Sequence, residues 1–406
     1  MNRWLFLWRR LSRELWWRAS LYAAFSVVAA LAASLLQPFV PEKMAERLGG
    51  ESVEQVLAIL SSSMLAVATF SLGAMVTAYT SVSSSATPRA AALITADEST
   101  QRSLATFVGA FLYGVVGITA INAGYYGPQG RAVLFVLSLL VVRLVAFRLL
   151  AWVSRLTSLA RLGSTVERVE SETCRALKID AETPCLGGTE GRLDTGVAIN
   201  AAQTGYVQNI DVDRLQALAE RLDGRIEITA RPGAFVMRGE PLARIAATTV
   251  TDKDAGAVDH AFSIVAARSF DQDPRYGLIV LGEISAKALS AAINDVGTAV
   301  QVIGTGVRLL EQWADAAAGA QREPRRPRLL TYALEPDELL DDIYGPTLRH
   351  GAGDLTVALR LRKALRSLAA GAPALSRAAT AMEARLMAAA ERTMENPDDL
   401  ERLRAG

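Results

Sequence analysis

The chain is poor in the residues that most often carry out catalysis or bind metals. Its 406 residues include only two histidines, His260 and His350, and two cysteines, Cys174 and Cys185. The sequence contains no nucleophile elbow, phosphate-binding glycine loop or His-Glu-x-x-His pair. Acid–base chemistry would have to use carboxylates, and none of them has a recognisable paired arrangement. We therefore predict that the protein is not an enzyme and binds neither a cofactor nor a metal.

Net charge is also nearly absent, but its balance changes along the chain. The total is +1, whereas residues 1–160 contain 13 Lys+Arg and 7 Asp+Glu, a net +6. The remainder contains 30 Lys+Arg and 35 Asp+Glu, a net −5. This asymmetry predicts a membrane domain followed by a soluble one. Nucleic-acid binding is disfavoured because the soluble part is net acidic.

Long uncharged runs occur in the first part. Three are long enough to cross a bilayer: Ala19–Pro41, Val56–Pro88 and Ser103–Gly130. A helix needs roughly 20 apolar residues for this. A fourth run, Ala132–Val153, is interrupted by Arg143 and Arg148 but is otherwise continuously aliphatic and aromatic. We predict four transmembrane helices, with the lipid bilayer as the first partner.

Arg143 lies deep in the fourth predicted span, whereas Arg148 is close enough to its end to extend toward the headgroups. An ionisable residue inside a membrane is a functional candidate by default. No acidic residue in any predicted span offers a partner. Two interpretations stay open for Arg143: it stretches toward the cytoplasmic headgroups, or it lines a pore or binds lipid.

The charges that flank the spans predict the topology. The N-terminal tail contains Arg3, Arg9, Arg10, Arg13 and Arg18. By contrast, Lys43, Arg47 and Arg131 are the only basic residues in the first and third loops between the predicted spans. The positive-inside rule therefore places both termini and the whole soluble region in the cytoplasm. A structural disulfide is not expected on that reducing side.

The second predicted span is unusually rich in hydroxyl groups. Twelve of the residues from 61 to 89 are serine or threonine. Positions about 3.5 residues apart share a helix face, and this spacing selects one stripe of small or hydroxylated residues. We call this stripe the hydroxyl seam: Ser62, Ala66, Thr69, Gly73, Thr77, Thr80 and Ser84. The same spacing predicts that the stripe continues to Thr87 and into a serine-rich intracellular mouth.

Two explanations compete for the hydroxyl seam. Small residues and hydroxyls allow membrane helices to pack closely. Alternatively, symmetric copies of the helix line a pore in which hydroxyls replace part of the hydration shell of an inorganic ion. The length of the seam favours the pore, because packing motifs are usually local. The predicted pore-lining residues are Ser62, Thr69, Gly73, Thr77, Thr80 and Ser84.

A small β-rich module is predicted over residues 191–250, where residues alternate with period two between turn signals. The pattern GYV…PGAFVMRGEPL resembles the barrel-sandwich architecture of biotinyl and lipoyl carriers. The carrier function is not expected, because covalent attachment requires a lysine at a hairpin tip and no lysine occurs between Lys178 and Lys253. A structural module fits these residues better.

The predicted fold class is a mainly α membrane protein. It has four transmembrane helices, then a cytoplasmic α+β region with a barrel-sandwich-like β module and a helical C-terminal part. The predicted segments are an interfacial amphipathic helix (1–18), the transmembrane domain (19–153), a connecting helix and linker (154–190), the β module (191–250), a helical segment packed on it (251–320) and the helical C-terminal region (321–406). We expect the chain to fray from Asn396 onward.

Charged residues cluster between the β module and the following helices. The candidate cytoplasmic polar network comprises Arg268, Asp271, Asp273, Arg275, Glu283 and Asp295. Their spacing does not match a known cation-binding loop. Asp295 is more simply explained as the N-cap of a helix, and Asp273 as the start of a turn. The others are expected to hold the sheet module against the helices.

Seven blocks, in this order along the chain, resemble a bacterial membrane-protein family known as domain of unknown function 2254. They are NRWLFLWRRL, SSSATPR, TGYVQNID, RPGAFVMRGEPLA, RSFDQDPRYG, ALSAAINDVGTA and YGPTLRHGAGD. The resemblance covers nearly the whole chain and implies a multi-pass protein of the bacterial inner membrane. It brings no established activity. The segment AINAGYYGPQGRA before the last span is short, so any larger external element is missing.

Two functions remain open at the level of the sequence. The first is a homo-oligomeric ion channel or pore, lined by the second span, with the cytoplasmic domain as a vestibule or gate. The second is a non-conducting, membrane-anchored scaffold or ligand-sensing protein that acts through its cytoplasmic domain. The hydroxyl seam separates them, because it faces a conduit in the first case and packs spans together in the second.

Overall fold

The computed structural model describes residues 15–32, 41, 52–95, 98–159, 162–319 and 323–406. Two compact units divide these ranges. The apolar unit extends to Ser84 and from Ala91 to Ser164, and the polar unit comprises residues 85–90 and Thr165–Gly406. The interfacial helix predicted for residues 1–18 falls largely outside the described residues, as do residues 33–40 of the first predicted span.

The apolar unit consists of helices. They are α1 (Leu15–Ala32), α2 (Ser52–Ser85), α3 (Pro88–Thr95), α4 (Glu98–Asn122) and α5 (Pro128–Leu159), of which α3 begins in the polar unit. Three segments are long and apolar enough to cross a membrane: Ser52–Ser84, Ser99–Asn122 and Pro128–Ser154. The apolar stretch Ala19–Ala29 within α1 is shorter. Among the described residues, the fold is thus mainly helical with three candidate spans.

The boundary between α2 and α3 follows from local chemistry. Pro88 lacks an N–H group and restricts the residue before it, so a helix ends before this position and a new one begins at it. The Thr87 hydroxyl accepts a hydrogen bond from the Ala90 N–H at 3.1 Å and caps α3. Thr87 is buried, so its side chain serves this turn.

Close helix packing holds the apolar unit together. A Cβ atom at Gly114 of α4 would lie 2.1 Å from the Ser61 Oγ and 2.9 Å from the Leu57 carbonyl oxygen of α2. Only glycine allows this approach of the two backbones. On α5, the buried Ser138 hydroxyl lies 3.2 Å from the hydroxyl of Tyr113, which also donates to the Leu134 carbonyl. These contacts place α2, α4 and α5 around one apolar core.

The polar unit combines two small sheets with helices. Its strands are β1 (Thr189–Glu190), β2 (Val197–Asn200), β3 (Gly205–Ile210), β4 (Arg225–Ile228), β5 (Phe235–Val236), β6 (Pro241–Ala246), β7 (Phe262–Val265) and β8 (Leu329–Thr331). One sheet has the order β1-β8-β4-β6-β2 and the other β5-β3-β7. Strand β8 pairs in parallel with both β1 and β4, whereas β6 is antiparallel to β4 and β2.

The helices of the polar unit are α6 (Leu162–Glu182), α7 (Val212–Arg221), α8 (Asp252–Asp259), α9 (Tyr276–Ala288), α10 (Val296–Ala318), α11 (Pro336–Gly351), α12 (Leu355–Gly371), α13 (Ser376–Thr393) and α14 (Pro397–Ala405). Helix α7 places Leu215 and Leu218 on the β core with Ile226 and Ile245. In the helical part, the fully buried Tyr344 donates to the Ile303 carbonyl at 3.1 Å.

The end of the chain is ordered against the helices, so the expected fraying from Asn396 is wrong. The Asn396 side chain caps α14 by accepting from the Asp398 N–H at 3.1 Å. Leu403 is fully buried, and its carbonyl accepts a hydrogen bond from the Arg362 guanidinium of α12. The charge-rich sequence of this segment concealed one apolar anchor and one buried arginine that holds its backbone.

Candidate functional site

The hydroxyl seam is exposed over its whole length in the single chain. The buried residues of α2 form a second stripe along the helix: Val53, Leu57, Leu60, Ser61, Met64, Ala68, Ser71, Met75, Ala78 and Val82. At 3.6 residues per turn the two stripes lie about 180° apart. Packing within the chain therefore uses the face of α2 opposite to the seam. Thr87 does not extend the seam, because it is buried at the cap of α3.

Every hydroxyl of the seam donates to its own helix. The acceptors are backbone carbonyls three or four residues earlier: Ser62 to Ala58 (2.9 Å), Thr69 to Leu65 (2.8 Å), Thr77 to Gly73 (3.0 Å), Thr80 to Thr77 (2.9 Å) and Ser84 to Ser81 (2.8 Å). A hydroxyl has one hydrogen and two lone pairs. With the hydrogen engaged, each oxygen presents acceptor lone pairs to whatever faces the seam.

Apolar side chains border the seam on both sides. Leu65, Leu72 and Val76 are exposed on one flank, and Ile59 and Phe70 on the other. At the middle of the seam, a Cβ atom added to Gly73 would meet no described atom within 4 Å. The seam is thus a narrow acceptor strip on an otherwise lipid-like surface.

Arg143 is exposed on α5. From Leu134 onward the buried positions of this helix are Leu134, Ser138, Val145 and Trp152, and Arg143 lies about 180° from them. Ala132, near the start of the helix, is also buried. Its neighbours on the exposed face are large and apolar: Leu139, Leu140, Phe147 and Leu150. Within the described part of the chain, Arg143 makes no hydrogen bond or ion pair. Arg148, one turn further along, is half-buried.

Asp273 is the centre of the polar cluster in the polar unit. Its side chain is 2% exposed and accepts a hydrogen bond from the Arg268 Nε at 2.7 Å. It also accepts from the backbone N–H groups of Arg275 and Tyr276, both at 3.1 Å, where α9 begins. Asp273 therefore satisfies orphan donors at the helix N-terminus, as a capping carboxylate does.

Arg275 carries the cluster onward to α11. Its guanidinium donates to both carboxylate oxygens of Asp342, at 2.6 and 3.1 Å, and to Glu338 at 2.7 Å. Burial opposes the charged form, but the hydrogen bonds and charge of Asp342, followed by those of Glu338, raise the pKa of Arg275. Arg275 stays protonated and ties α11 to the start of α9.

The other residues of the predicted network are Glu283, Asp295 and Asp271. Glu283 accepts from the Arg89 guanidinium at 2.6 Å, and this hydrogen bond raises the pKa of Arg89. Asp295 caps α10 by accepting from the Thr298 N–H at 3.0 Å, and hydrogen bonds from Thr298 lower the pKa of Asp295. Asp271 is half-buried in the same segment as Asp273. Direct contacts in the structure join Arg268, Asp273 and Arg275, whereas Glu283 accepts from Arg89 and Asp295 caps α10.

No group of three or more His, Cys, Asp or Glu residues with a metal-binding arrangement occurs in the ranges that the structure describes. The carboxylates of Asp273, Glu338 and Asp342 each accept from an arginine side chain. These bonds join the RSFDQDPRYG segment to α11.

Sequence reasoning missed two parts of this region. Gly233 has a φ of +91°, and a Cβ there would lie 2.4 Å from an oxygen of Asp273. The Pro-Gly pair signalled a turn, but not its close approach to Asp273. Arg231 forms a buried ion pair with Asp180 at 2.6 Å and lies over the Tyr332 ring, 5.4 Å from its centroid. Those partners are far apart in the sequence, and no local pattern links them.

Comparison with known proteins gives one match. Residues 12–367 match the family model described as "Predicted membrane protein (DUF2254)". No curated protein and no solved structure matches the chain. The matched range covers the described helices that are apolar enough to span a bilayer and both sheets of the polar unit. The chain therefore belongs to the DUF2254 family of membrane proteins.

Proposed function

We propose that the protein is a homo-oligomeric ion channel or pore of the bacterial inner membrane, without enzymatic activity. Copies of α2 line the conduit with their hydroxyl seams, and the polar unit acts as a cytoplasmic vestibule or gate. The observation that carries this proposal is the exposure of the seam from Ser62 to Ser84, opposite to the buried stripe of the same helix.

The dimensions of the seam support a conduit. Ser62 and Ser84 are separated by about 33 Å along the helix at 1.5 Å per residue. The hydrocarbon core is about 30 Å thick. Among the described residues, none packs on the seam, and the opposite face of α2 contacts α4 and α5. This exposure is what a conduit lined by copies of α2 requires.

The direction of the hydroxyl hydrogen bonds favours inorganic cations as the permeant ions. Ser62, Thr69 and Thr77 turn their hydrogens toward their own backbone, so their oxygen lone pairs point away from the helix. Oxygen ligands can replace part of the hydration shell of a cation. No charged residue lies on the seam itself.

The proposal includes the finer architecture inferred from the sequence. The helix that contains Ala19–Ala29 would make the first of four crossings, with both termini in the cytoplasm. The flanking arginines support this orientation. The two small sheets of the polar unit would form a barrel-sandwich-like module.

A second candidate is a non-conducting membrane-anchored scaffold or ligand-sensing protein. The same hydrogen bonds favour it in part, because serine and threonine that bond to their own helix can face lipid without an unsatisfied donor. The polar unit would then act through its cytoplasmic surface. In this case, the seam would only pack against other helices or lipid.

Ion flux from liposomes that contain the purified full-length protein distinguishes the channel from the non-conducting scaffold. We expect the wild-type protein to conduct, and Thr77→Phe or Thr69→Phe to abolish flux while the mass of the assembly stays unchanged, because a ring projects into the conduit. The matched control is Val76→Phe, which adds a ring to the apolar flank next to Thr77 and should preserve flux.

Two outcomes would reject the channel. The first is the absence of wild-type flux across a range of salt, pH and membrane tension. The second is loss of assembly, rather than of flux alone, in Thr69→Phe, since this places the seam in a protein interface. Either result would favour the scaffold.

A further inference from the structure

Arg143 occupies the middle of a membrane span. It follows Pro128 by 15 residues and precedes Ser154 by 11. At 1.5 Å per residue these separations are about 22 Å and about 16 Å. Both ends of the span are thus distant from Arg143. Arginine in the membrane interior almost always faces protein or water and finds hydrogen-bond acceptors there.

The described residues of the chain do not provide those acceptors. Arg143 lies on the exposed face of α5, surrounded by Leu139, Leu140 and Phe147, and bonds to no described residue. The three candidate spans contain one carboxylate, Glu54, close to the start of α2. Neutral acceptors on a second copy are therefore the partners to consider for Arg143.

The packing of α2 and α5 shows what lies at the depth of Arg143. Near one end of both helices, Leu57 and Leu134 lie 3.1 and 3.6 Å from a Cβ position built on Gly117. Further along, the rings of Phe70 and Trp152 are 6.1 Å apart. The two helices thus run in the same direction.

Arg143 is midway between Leu134 and Trp152, and the corresponding midpoint on α2 falls between Ser63 and Met64. The hydroxyl-bearing residues at the depth of Arg143 are therefore Ser62 and Ser63. Ser62 and Ser63 donate to the Ala58 and Ile59 carbonyls at 2.9 and 2.6 Å. Both oxygens present free lone pairs. A guanidinium has five N–H donors and no acceptor, so it complements the acceptor oxygens of Ser62, on the seam, and of Ser63 beside it.

We propose that the Arg143 face of α5 docks on α2 of a second copy, where Arg143 donates to Ser62 and Ser63 of that copy. This inference rests on the homo-oligomer of the proposed function and specifies its interface. Copies related by an axis along the membrane normal keep the same depth, so Arg143 meets these serines without a vertical shift. The contact joins two different faces, and a heterologous contact of this kind closes into a ring when the rotation between successive copies closes.

The docking takes Ser62 out of the conduit assigned to it under the proposed function and leaves the cytoplasmic part of the seam to line that conduit. Thr69, Thr77 and Ser84 lie progressively further from the depth of Arg143. The apolar residues around Arg143 would meet the apolar flank of the neighbouring α2, which includes Leu65 and Leu72. The interface thus pairs apolar with apolar residues and its single cation with acceptor oxygens.

Disulfide cross-linking tests this interface. Ala66→Cys and Phe147→Cys are combined in a full-length chain that also carries Cys174→Ser and Cys185→Ser. Both new thiols are exposed one turn beyond Ser62 and Arg143, which stay intact. We expect oxidation in native membranes to produce dimers, trimers and longer products on a non-reducing gel. Each single-cysteine chain can form dimers at most, and provides the matched control.

The mass of the assembly, measured on the same samples without oxidation, separates the possible failures. An oligomeric mass with no product beyond that of the single-cysteine controls would overturn the interface but leave the oligomeric pore in place. A monomeric mass would overturn both. Adding Arg143→Leu should reduce the long products several-fold, whereas Arg143→Lys should retain more of them. An unchanged ladder in Arg143→Leu would overturn the role assigned to Arg143.

Discussion

Replacing Arg231 by methionine would leave the Asp180 carboxylate buried without its counter-charge. The two side chains are 5% and 10% exposed, and Arg231 also donates to the Tyr332 carbonyl at 2.5 Å. Removal of one partner from a buried ion pair costs about 3–5 kcal/mol of folding free energy. In a unit of this size, each kcal/mol lowers Tm by about 2–4 °C. We therefore expect Arg231→Met to lower Tm by about 6–20 °C.

The size of this loss should depend on pH. Burial raises the pKa of Asp180 above its ordinary 3.8, and the charge of Arg231 opposes that rise. Without Arg231 the pKa rises further, so the folded state binds more protons than the unfolded state at pH values above 3.8. Stability then falls as the pH rises through this window. The Tm deficit of Arg231→Met should be smaller at about pH 5 than at about pH 8.

Thermal unfolding of the full-length protein in nanodiscs, followed by tryptophan fluorescence, measures both effects. The matched control is Arg385→Met, which breaks an ion pair with Asp341 whose side chains are 56% and 52% exposed. An exposed pair contributes about 0–1 kcal/mol, so this variant should lose no more than about 4 °C. Equal losses in the two variants, or a deficit of Arg231→Met that grows toward acidic pH, would refute the reasoning.

Two glycine comparisons provide further tests. Gly233→Ala should lower stability by roughly 2–5 kcal/mol, because it combines a left-handed φ with a clash at Asp273. Gly239→Ala, at a φ of +93° but with open space around it, should cost only about 1 kcal/mol in the same melting experiment. Gly114→Ala should lower the free energy of unfolding by about 1–3 kcal/mol, because the added methyl group pushes α4 away from α2. It should also lower the yield of folded protein in membranes. Gly73→Ala, on the exposed seam, should leave that yield unchanged, and equal losses at both sites would contradict the packing described for α2.

Features that depend on a few neighbouring residues could be predicted from the sequence. The uncharged runs indicated the long helices α2 and α4, because helix formation in a bilayer requires continuous apolar residues. Asp295 was predicted as an N-cap, and it accepts a hydrogen bond from the N–H of Thr298, three residues later. Periodicity also identified the hydroxyl seam.

Features that depend on distant partners could not be predicted in the same way. The helical pattern of α2 shows two faces, but only packing against α4 shows that the seam is the exposed one. Glu283, a member of the predicted network, accepts a hydrogen bond from Arg89, nearly two hundred residues earlier. Such pairings are tertiary choices that local spacing does not encode. The polar role of Arg275 was expected, but its partners on α11 were not.

Strand β8 is paired with a neighbour on both sides, and this has a consequence for the synthesis of the chain. Strand β8 lies between β1 and β4, yet Leu329 follows Ala246, the last residue of β6, by 83 residues. At 5–20 residues per second, a ribosome needs about 4–17 s to deliver it after β6 has emerged. During that delay, one edge of β4 and all of β1 lack their hydrogen-bonding partner, which exposes them to pairing with other nascent chains. Shortening the chain before Leu329 would make this interval permanent, so the last helices cannot be removed at that point without opening the sheet.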